Sequence, residues 1–396
     1  MKILNLAEKK FIEQNKNKNI QELLLATKSS NDFDAKFAIG QIAGFQKIKD
    51  KLPTWYLNLD LILPPSISLE QSSSEQTASF KASLMKGKTL LDLTLGMGID
   101  AWKMSQNFEN FIGIEQQEQL AEITKQNLAY LNNTSTIIEV KNQDALQFLK
   151  ENKNAFSWIY LDPARRNNLD KKVVFLQDCD PNIFEIQTKL FEFSDNILLK
   201  TSPMLDIDLA INQLKGVKKV YIVALENEVK ELLFVLEKSF CGQAKLICIN
   251  LKKEKIFQSF EFYKQSESQI ALTYSSPLRF LYEPNATILK AGAFKSIAQQ
   301  YGIKKIQQHS HLYTSEDLVE NFIGRSFEIL SIQNVDAKKV NAIVKDKANI
   351  TTRNFPIKVE ALRKKLGLKD GGDFYIFATT DYTDKKILII CKKISN

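Results

Sequence analysis

Four acidic residues follow four apolar runs between residues 88 and 166, an arrangement suited to lining a ligand cleft at one edge of a sheet. Thr89-Leu90-Leu91-Asp92-Leu93-Thr94 has strand length, breaks at Gly96-Met97-Gly98 and continues into a stretch of helical character from Ile99 to Phe108. Two glycines just past a strand bring the backbone close to a ligand with no Cβ in the way, and the helix start supplies unpaired N–H groups. Phe111-Ile112-Gly113-Ile114 ends on Glu115, placed to accept two ribose hydroxyls. Ile137-Ile138-Glu139-Val140 is followed by Gln143-Asp144-Ala145, where a carboxylate can accept from the exocyclic amine of adenine. Trp158-Ile159-Tyr160-Leu161 runs into Asp162-Pro163-Ala164-Arg165-Arg166, a charged turn at the C-terminal edge of a strand, where open α/β sheets bind their ligands. Gly96-x-Gly98-x-x-Ala101 with Glu115 also satisfies the dinucleotide fingerprint, so a nicotinamide-dependent oxidoreductase is the alternative on this turn alone.

In order and interval, the four motifs resemble those of class I S-adenosylmethionine (SAM)-dependent methyltransferases. The resemblance implies that Asp92 to Gly98, with Thr94 and Gly96 between them, holds the methionine end of SAM, that Glu115 binds the ribose and that Asp144 lies at the adenine side. It places Asp162, Pro163 and Arg165 beside the methyl acceptor as the catalytic group. Amino methyltransferases of nucleobases carry an acidic or amide residue, two prolines and an aromatic at this turn. Here Ala164 replaces the second proline and Arg165 the aromatic, so a base must stack elsewhere or on the guanidinium plane. Uridine C5 methyltransferases share the arginine but need a cysteine after the next strand, where this chain has Lys200-Thr201-Ser202-Pro203. A nitrogen acceptor remains, with Asp162 accepting the hydrogens of the amine. The other reading of Asp162 is a turn residue capping Arg165 or Arg166.

Gln71-Ser72-Ser73-Ser74-Glu75-Gln76-Thr77-Ala78, the Asp-Pro-Ala-Arg-Arg variant, and the ending from Asn354-Phe355-Pro356 to Gly371-Gly372-Asp373 resemble one bacterial group of these enzymes. That group carries a C-terminal THUMP-like domain, and the resemblance covers nearly the whole chain. It implies RNA, tRNA or rRNA, as the partner. A methyltransferase acting on a protein or small molecule, and a SAM-binding RNA-binding protein without turnover, are the competing functions.

Presenting these strand ends requires an open sheet, and the rest of the chain is patterned to build one. Leu120, Ile123, Asn127, Leu128 and Leu131 trace one helix face, 145–150 predicts a short helix, and 182–193 another after Asp180-Pro181. Residues 196–200, 217–225 and 244–251 are predicted as the fifth, sixth and seventh strands, with 229–237 helical between the last two. Strands alternating with helical runs predict a Rossmann-like α/β fold, a seven-stranded, mostly parallel sheet covered on both faces.

Before the sheet, residues 1–70 read as mostly helical: Phe33, Phe37, Gln41, Phe45 and Ile48 recur at spacings of three and four, and Pro53 closes the helix. Lys47, Lys49 and Lys51 suit a helix end or an RNA contact. Residues 57–63 read as a short strand and 72–85 as a capped helix over the cofactor, with Gln71, Ser74 or Thr77 in reach. After the sheet, a helix is predicted over 288–301 and an extended stretch over 303–313. His309 and His311 would face the same way on that strand, as a surface pair or as two metal ligands. The ending alternates strands (327–332, 350–353, 374–378, 387–391) with helices (337–344, 357–366), Pro356 starting and Gly367 ending the second helix.

A chain of 396 residues exceeds one ordinary domain. The predicted division is a helical region 1–70, a methyltransferase domain 71–275, a connecting small α/β (ferredoxin-like) segment 276–324 and a basic THUMP-like α+β domain 325–396. No apolar run reaches the roughly 18 to 20 residues of a membrane span. Lys9, Lys10 and an Asn/Lys stretch stand where a signal peptide would need an apolar core, so a soluble, cytoplasmic protein without a membrane partner is expected. Cys179, Cys241, Cys248 and Cys391 form no C-x-x-C pair, so neither a zinc site nor a disulfide framework is expected. The sequence leaves the oligomeric state open.

Of the net charge of +8, residues 325–396 carry 15 Lys/Arg against 8 Asp/Glu, a balance of +7. Such asymmetry is the footprint of a module that meets phosphates, or of a solvated lysine-rich surface. Arg363-Lys364-Lys365 ends a helix, where the macrodipole accounts for part of it.

Overall fold

The computed structural model describes residues 3–29, 33–64, 69–70, 72–165, 176–252 and 257–394. The chain divides into two compact units, the first built from 1–220 and 231–242, the second from 221–230 and 243–396. The first unit opens with helices α1 (Leu6–Asn15), α2 (Ile20–Ala26), α3 (Ala35–Ile48) and α4 (Pro53–Tyr56). Asn5 and Glu8 form a capping box on α1, Asp34 caps α3, and Pro53 takes the first turn of α4. Lys47 pairs with Glu70, and Lys51 donates to the carbonyls of Leu69 and Glu70, so two of the three lysines at this helix end are structural ties.

The strand expected over 57–63 is absent. Leu61, Ile62 and Leu63 are buried as an irregular segment whose backbone bonds to side-chain amides instead of a neighbouring strand. Gln41 donates to Leu63 O (3.0 Å) and accepts from its N–H (2.8 Å), and Asn127 does the same for Ile62 (2.8 and 3.0 Å). Two buried amides thereby satisfy four backbone groups that burial would otherwise leave unpaired.

Helix α5 (Glu75–Ser83), capped by Ser74 and Thr77, leads into β1 (Gly87–Asp92). The chain then alternates α6 (Ile99–Met104), β2 (Phe108–Glu115), α7 (Glu118–Leu131), β3 (Ile137–Asn142), α8 (Ala145–Glu151) and β4 (Trp158–Leu161). The short strands β5 (Ala164–Arg165) and β6 (Cys179–Asp180) pair with each other; α9 (Ile183–Phe193), β7 (Asn196–Thr201) and α10 (Ile207–Gln213) follow. β1 pairs in parallel with β2 on one side and β4 on the other, and the order from β3 through β2, β1, β4 and β7 is that of a doubly wound sheet with its switch point at β1/β4.

β8 (Val217–Leu225) lies where expected, but residues 229–237 form β9 (Glu228–Glu237), not a helix, and β9 pairs antiparallel with β7. Residues 231–236 are all buried, because this strand is covered on both faces. Such a continuous apolar run has no period to tell strand from buried helix. Glu226 and Asn227, both at positive φ, make the two-residue turn from β8 into β9. The seventh strand of the methyltransferase sheet is therefore β9. Residues 244–251, expected in that place, supply β10 (Lys245–Leu251), which pairs antiparallel with β11 (Phe257–Tyr263) in the second unit.

The second unit continues with α11 (Lys264–Gln269), β12 (Phe280–Pro284), α12 (Ala286–Ala291), α13 (Ser296–Tyr301), β13 (Lys304–Lys305), β14 (Tyr313–Ser315) and β15 (Gly324–Gln333). Then come α14 (Ala337–Val344), β16 (Asn349–Arg353), α15 (Val359–Leu366), β17 (Phe374–Thr380) and β18 (Lys386–Lys393). One seven-stranded sheet, ordered β13-β14-β12-β15-β18-β17-β16, joins residues on both sides of Gly324, and β12 pairs directly with β15. The single helix expected over 288–301 is two, because Gly292 at φ +71 ends α12 in the left-handed region. Gly367 ends α15 in the same way, but that helix starts at Val359, past Pro356. The extended stretch over 303–313 is limited to β13 and the start of β14, with a turn between. Val340, Leu362, Ile376, Leu388 and Ile390 are the centre of the apolar core beneath α14 and α15.

Candidate active site

At the β1/β4 switch point of the first unit, the strand ends open onto a cavity of ≈ 260 Å³ lined by Asp92, Thr94, Gly96, Gly98, Glu115, Asp144 and Asp162. The fold thus brings together seven of the nine residues singled out from the sequence. Gly98 caps α6 at φ +78, and a Cβ there would meet Thr124 Cγ2 at 2.7 Å. Gly96, at φ +55, donates its N–H to Glu115 Oε2 (3.0 Å), while Thr124 Oγ1 donates to Gly96 O (2.7 Å). Gln117 N donates to Glu115 Oε1 (2.9 Å), so the carboxylate at the end of β2 is fixed by one backbone N–H on each oxygen. A carboxylate has about four acceptor sites, which leaves one on each oxygen for a ligand.

Asp92 is 1% exposed and accepts from Thr94 N (2.9 Å). Burial, reinforced by the carboxylates of Asp100, Asp162 and Glu115, raises its pKa well above the ordinary value. Asp144 is exposed at the start of α8, where one oxygen caps the helix by accepting from Gln147 N (2.9 Å). Asp162 follows β4 directly: its N–H donates to Thr94 Oγ1 (2.6 Å) and its Oδ2 accepts from Lys200 Nζ. Among the described residues its carboxylate caps no backbone N–H. Pro163 is half-buried in the link to β5 and does not line the cavity. The backbone of Arg165 pairs with Cys179 across β5 and β6, and Gln71 and Arg166 lie outside the described residues.

Behind these strand ends lies a buried charge network that no sequence motif announces. Lys81 of α5, fully buried, donates to Glu231 Oε1 (2.8 Å) and Oε2 (2.7 Å) and to Ser73 Oγ (3.1 Å), and stands 3.2 Å from Asp100 Oδ1. Asp100, in the first turn of α6, accepts on Oδ2 from Ser73 Oγ (2.9 Å) and Tyr160 OH (2.7 Å). Burial opposes charge on Asp100, but Lys81 and Lys200, helped by these hydrogen bonds, hold its pKa below the ordinary carboxylate value. Burial likewise opposes charge on Lys200, yet the carboxylates of Asp162, Asp100 and Glu231 outweigh it and raise its pKa. Burial and the neighbouring carboxylates also push the Tyr160 phenol well above its usual range. Ser74 and Thr77 are occupied with capping α5, so the side chains of this segment that reach the cavity are Ser72 and Ser73.

Six carboxylates (Asp92, Asp100, Glu115, Asp144, Asp162 and Asp180) line the cavity, and among the described residues no lysine or arginine does. Among the described residues no cysteine lines it either. His309 and His311, in the second unit, sit in a turn instead of on a strand. His311 stacks on Phe294 (3.8 Å between centroids) at φ +53, and burial with nearby Lys305, His309 and Arg353 lowers its pKa to about 4. Among the described residues no group of three or more His, Cys, Asp or Glu is arranged to hold a metal ion, and no helix is long and apolar enough to cross a membrane.

The strand order, the antiparallel β9 and the glycine loop facing acidic strand ends define a class I methyltransferase. A structure from Porphyromonas gingivalis W83, provisionally described as a methyltransferase, is 31% identical, with 98% of each chain covered and a TM-score of 0.90. The family described as "Conserved hypothetical protein 95" matches residues 76–180, a ferredoxin-like domain matches 280–322 and a THUMP domain-like family matches 324–393. The chain belongs to the family of the Porphyromonas protein, the SAM-dependent class I methyltransferases with a C-terminal THUMP-like domain. Partial likenesses include an rRNA methylase from Streptococcus thermophilus (14% identity, 41% of this chain and 94% of that one, TM-score 0.29). Another is TrmK of M. capricolum, solved with S-adenosyl-homocysteine (12% identity, 41% and 68%, TM-score 0.32). No curated protein matches the chain.

Proposed function

We propose that this protein methylates a nitrogen of a base in RNA, tRNA or rRNA, with SAM as donor. The observation that carries the reading is the acidic wall of the cavity, with Asp162 at its strand edge and no basic side chain lining it among the described residues. The pyrophosphate of a nicotinamide dinucleotide would meet an acidic lining, whereas a ligand with an ammonium and a sulfonium supplies the positive charge it lacks. Buried Asp92 is the group with most to gain from such a cation. Glu115 suits a pair of ribose hydroxyls, with one acceptor site left on each oxygen. Asp144, its other oxygen outside the helix cap, suits the adenine side.

Bound SAM supplies a methyl group on a good leaving group, so the protein needs no nucleophile of its own and contributes mainly by alignment. Asp162 Oδ1 is the oxygen open to an N–H of the acceptor amine, since Oδ2 is engaged by Lys200. Accepting that hydrogen turns the nitrogen lone pair toward the donor. A covalent route to a ring carbon finds no cysteine lining this cavity among the described residues.

The RNA part of the reading draws on the +7 balance of residues 325–396 and their match to the THUMP domain-like family. Mass spectrometry of tRNA and rRNA nucleosides from a deletion strain tests it. Loss of one N-methylated nucleoside, restored by the wild-type gene, is expected. An unchanged nucleoside profile overturns the RNA substrate and turns the search to proteins and small molecules.

A further inference from the structure

We propose that Lys200 is a positioning residue for methyl transfer, holding one oxygen of Asp162 so that the other faces the acceptor amine. The inference rests on the reading of Asp162 given above. Strand register creates the pair: β4 and β7 run in parallel with Ile159 beside Ile197, Tyr160 beside Leu198 and Leu161 beside Leu199, so Asp162 and Lys200 are next in line. The Lys200 side chain is 13% exposed and that of Asp162 36%, so the lysine lies on the inner side of the pair and the carboxylate on the cavity side.

The backbone of Asp162 is fixed from β1 by Thr94 and its side chain from β7 by Lys200, a hold from both neighbouring strands. Lys200 is also what makes the position of Asp162 tenable. Asp100 and Glu115 line the same cavity, and like charges at close range repel. Lys81 cannot take over, because its ammonium is occupied by Glu231, Ser73 and Asp100. Without Lys200, the Asp162 carboxylate would rotate toward solvent, and its two oxygens would become interchangeable toward the acceptor.

The test uses full-length Lys200→Ala and Lys200→Arg. In a crystal structure of Lys200→Ala, Asp162 should leave its wild-type rotamer or split between two; one unchanged conformer would overturn the proposal, whatever the substrate. With labelled SAM and unfractionated RNA from a deletion strain, Lys200→Ala should lose roughly a hundredfold in kcat, the scale of a misplaced reacting group, with SAM affinity and KM for RNA unchanged. Lys200→Arg should keep most of the rate, and added ethylammonium should restore part of the Lys200→Ala rate, which a packing defect would not allow. Wild-type turnover by Lys200→Ala would refute the role. If Lys200→Ala does not fold, a displaced Asp162 in Lys200→Arg with a normal rate refutes it equally. If the wild-type protein puts no methyl into RNA, the substrate reading falls, and the Asp162 conformer alone decides the role of Lys200.

Discussion

The cavity of the first unit and the helices α14 and α15 of the second use charge in opposite ways. Around the cavity, Lys81, Lys200, Asp100 and Glu231 are withdrawn from solvent, and each has a named partner at hydrogen-bond or ion-pair distance. In residues 325–396 the core is apolar, while Lys338, Lys339, Lys364 and Lys365 stand exposed on α14 and α15. Buried charge is costly and must be paired, but it is fixed in place and little screened by salt. Exposed lysines are mobile and screened, which suits contacts with a polymer backbone more than the orientation of one atom. The same residue type thus serves as a geometric device around the cavity and as exposed charge on α14 and α15.

The largest effect is expected at Lys81. Lys81→Met leaves Glu231, with 3% of its side chain exposed, and Asp100 without their shared cation. Removing one partner of a buried pair costs about 3 to 5 kcal/mol. Denaturant unfolding of Lys81→Met should show a loss of that size, much of it recovered in Lys81→Met with Glu231→Gln. A loss of less than about 1 kcal/mol would mean that the network is solvated after all, like the exposed lysines of α14 and α15.

Next in size is Asp162. Asp162→Asn keeps the shape and the N–H bond to Thr94 but cannot offer a charged oxygen to the acceptor. Methyl transfer into unfractionated RNA should fall by about a hundredfold or more, with SAM affinity retained. Near-normal transfer at normal affinity would leave Asp162 with a purely structural part in the pair with Lys200.

Legibility in the sequence differs between the same two regions. The glycine loop and the acidic strand ends are legible because each obeys a local rule: an apolar run, a break, then a polar residue at a strand edge. Asp92, Thr94, Gly96, Gly98, Glu115, Asp144 and Asp162 indeed line one cavity. Lys81 and Glu231 are not legible, since they are 150 positions apart and a lysine or glutamate gives no local sign of burial. Lys200 is legible by position alone: it stands at the end of the strand next to β4, where the switch-point rule puts ligands, but no motif marks a lysine there. β9 escapes a periodic reading because burial on both faces erases its period, while α14, with one buried face, has the ends its pattern predicts. The irregular segment 61–63 escapes it because side-chain amides, invisible to periodicity, replace the neighbouring strand.

Glu115 tests the cofactor side with a smaller effect. Glu115→Ala removes the carboxylate that Gly96 and Gln117 hold and with it the charge-assisted contact to the ribose, worth about 1.5 to 3 kcal/mol. Calorimetry should show SAM binding weakened by that amount. Unchanged affinity would remove Glu115 from the cofactor site.

The smallest effect, and the one that sharpens the contrast, is expected in the exposed charge of the second unit. A cut at Gly324 would be a poor test, because it strips β12 of its partner β15 and opens the shared sheet. Neutralising Lys338, Lys339, Lys364 and Lys365 to Gln together leaves the core of that sheet intact, since these side chains are exposed. If they meet RNA phosphates, each lysine neutralised removes roughly one counterion from the release on binding, so the slope of log affinity against log salt should become shallower by up to about three to four. The affinity for SAM should not move, as these residues belong to the second unit and the cavity to the first. Salt slopes that coincide for the wild-type and substituted proteins would reduce these four lysines to a solvated surface and would require the RNA-binding charge to be sought elsewhere on the chain.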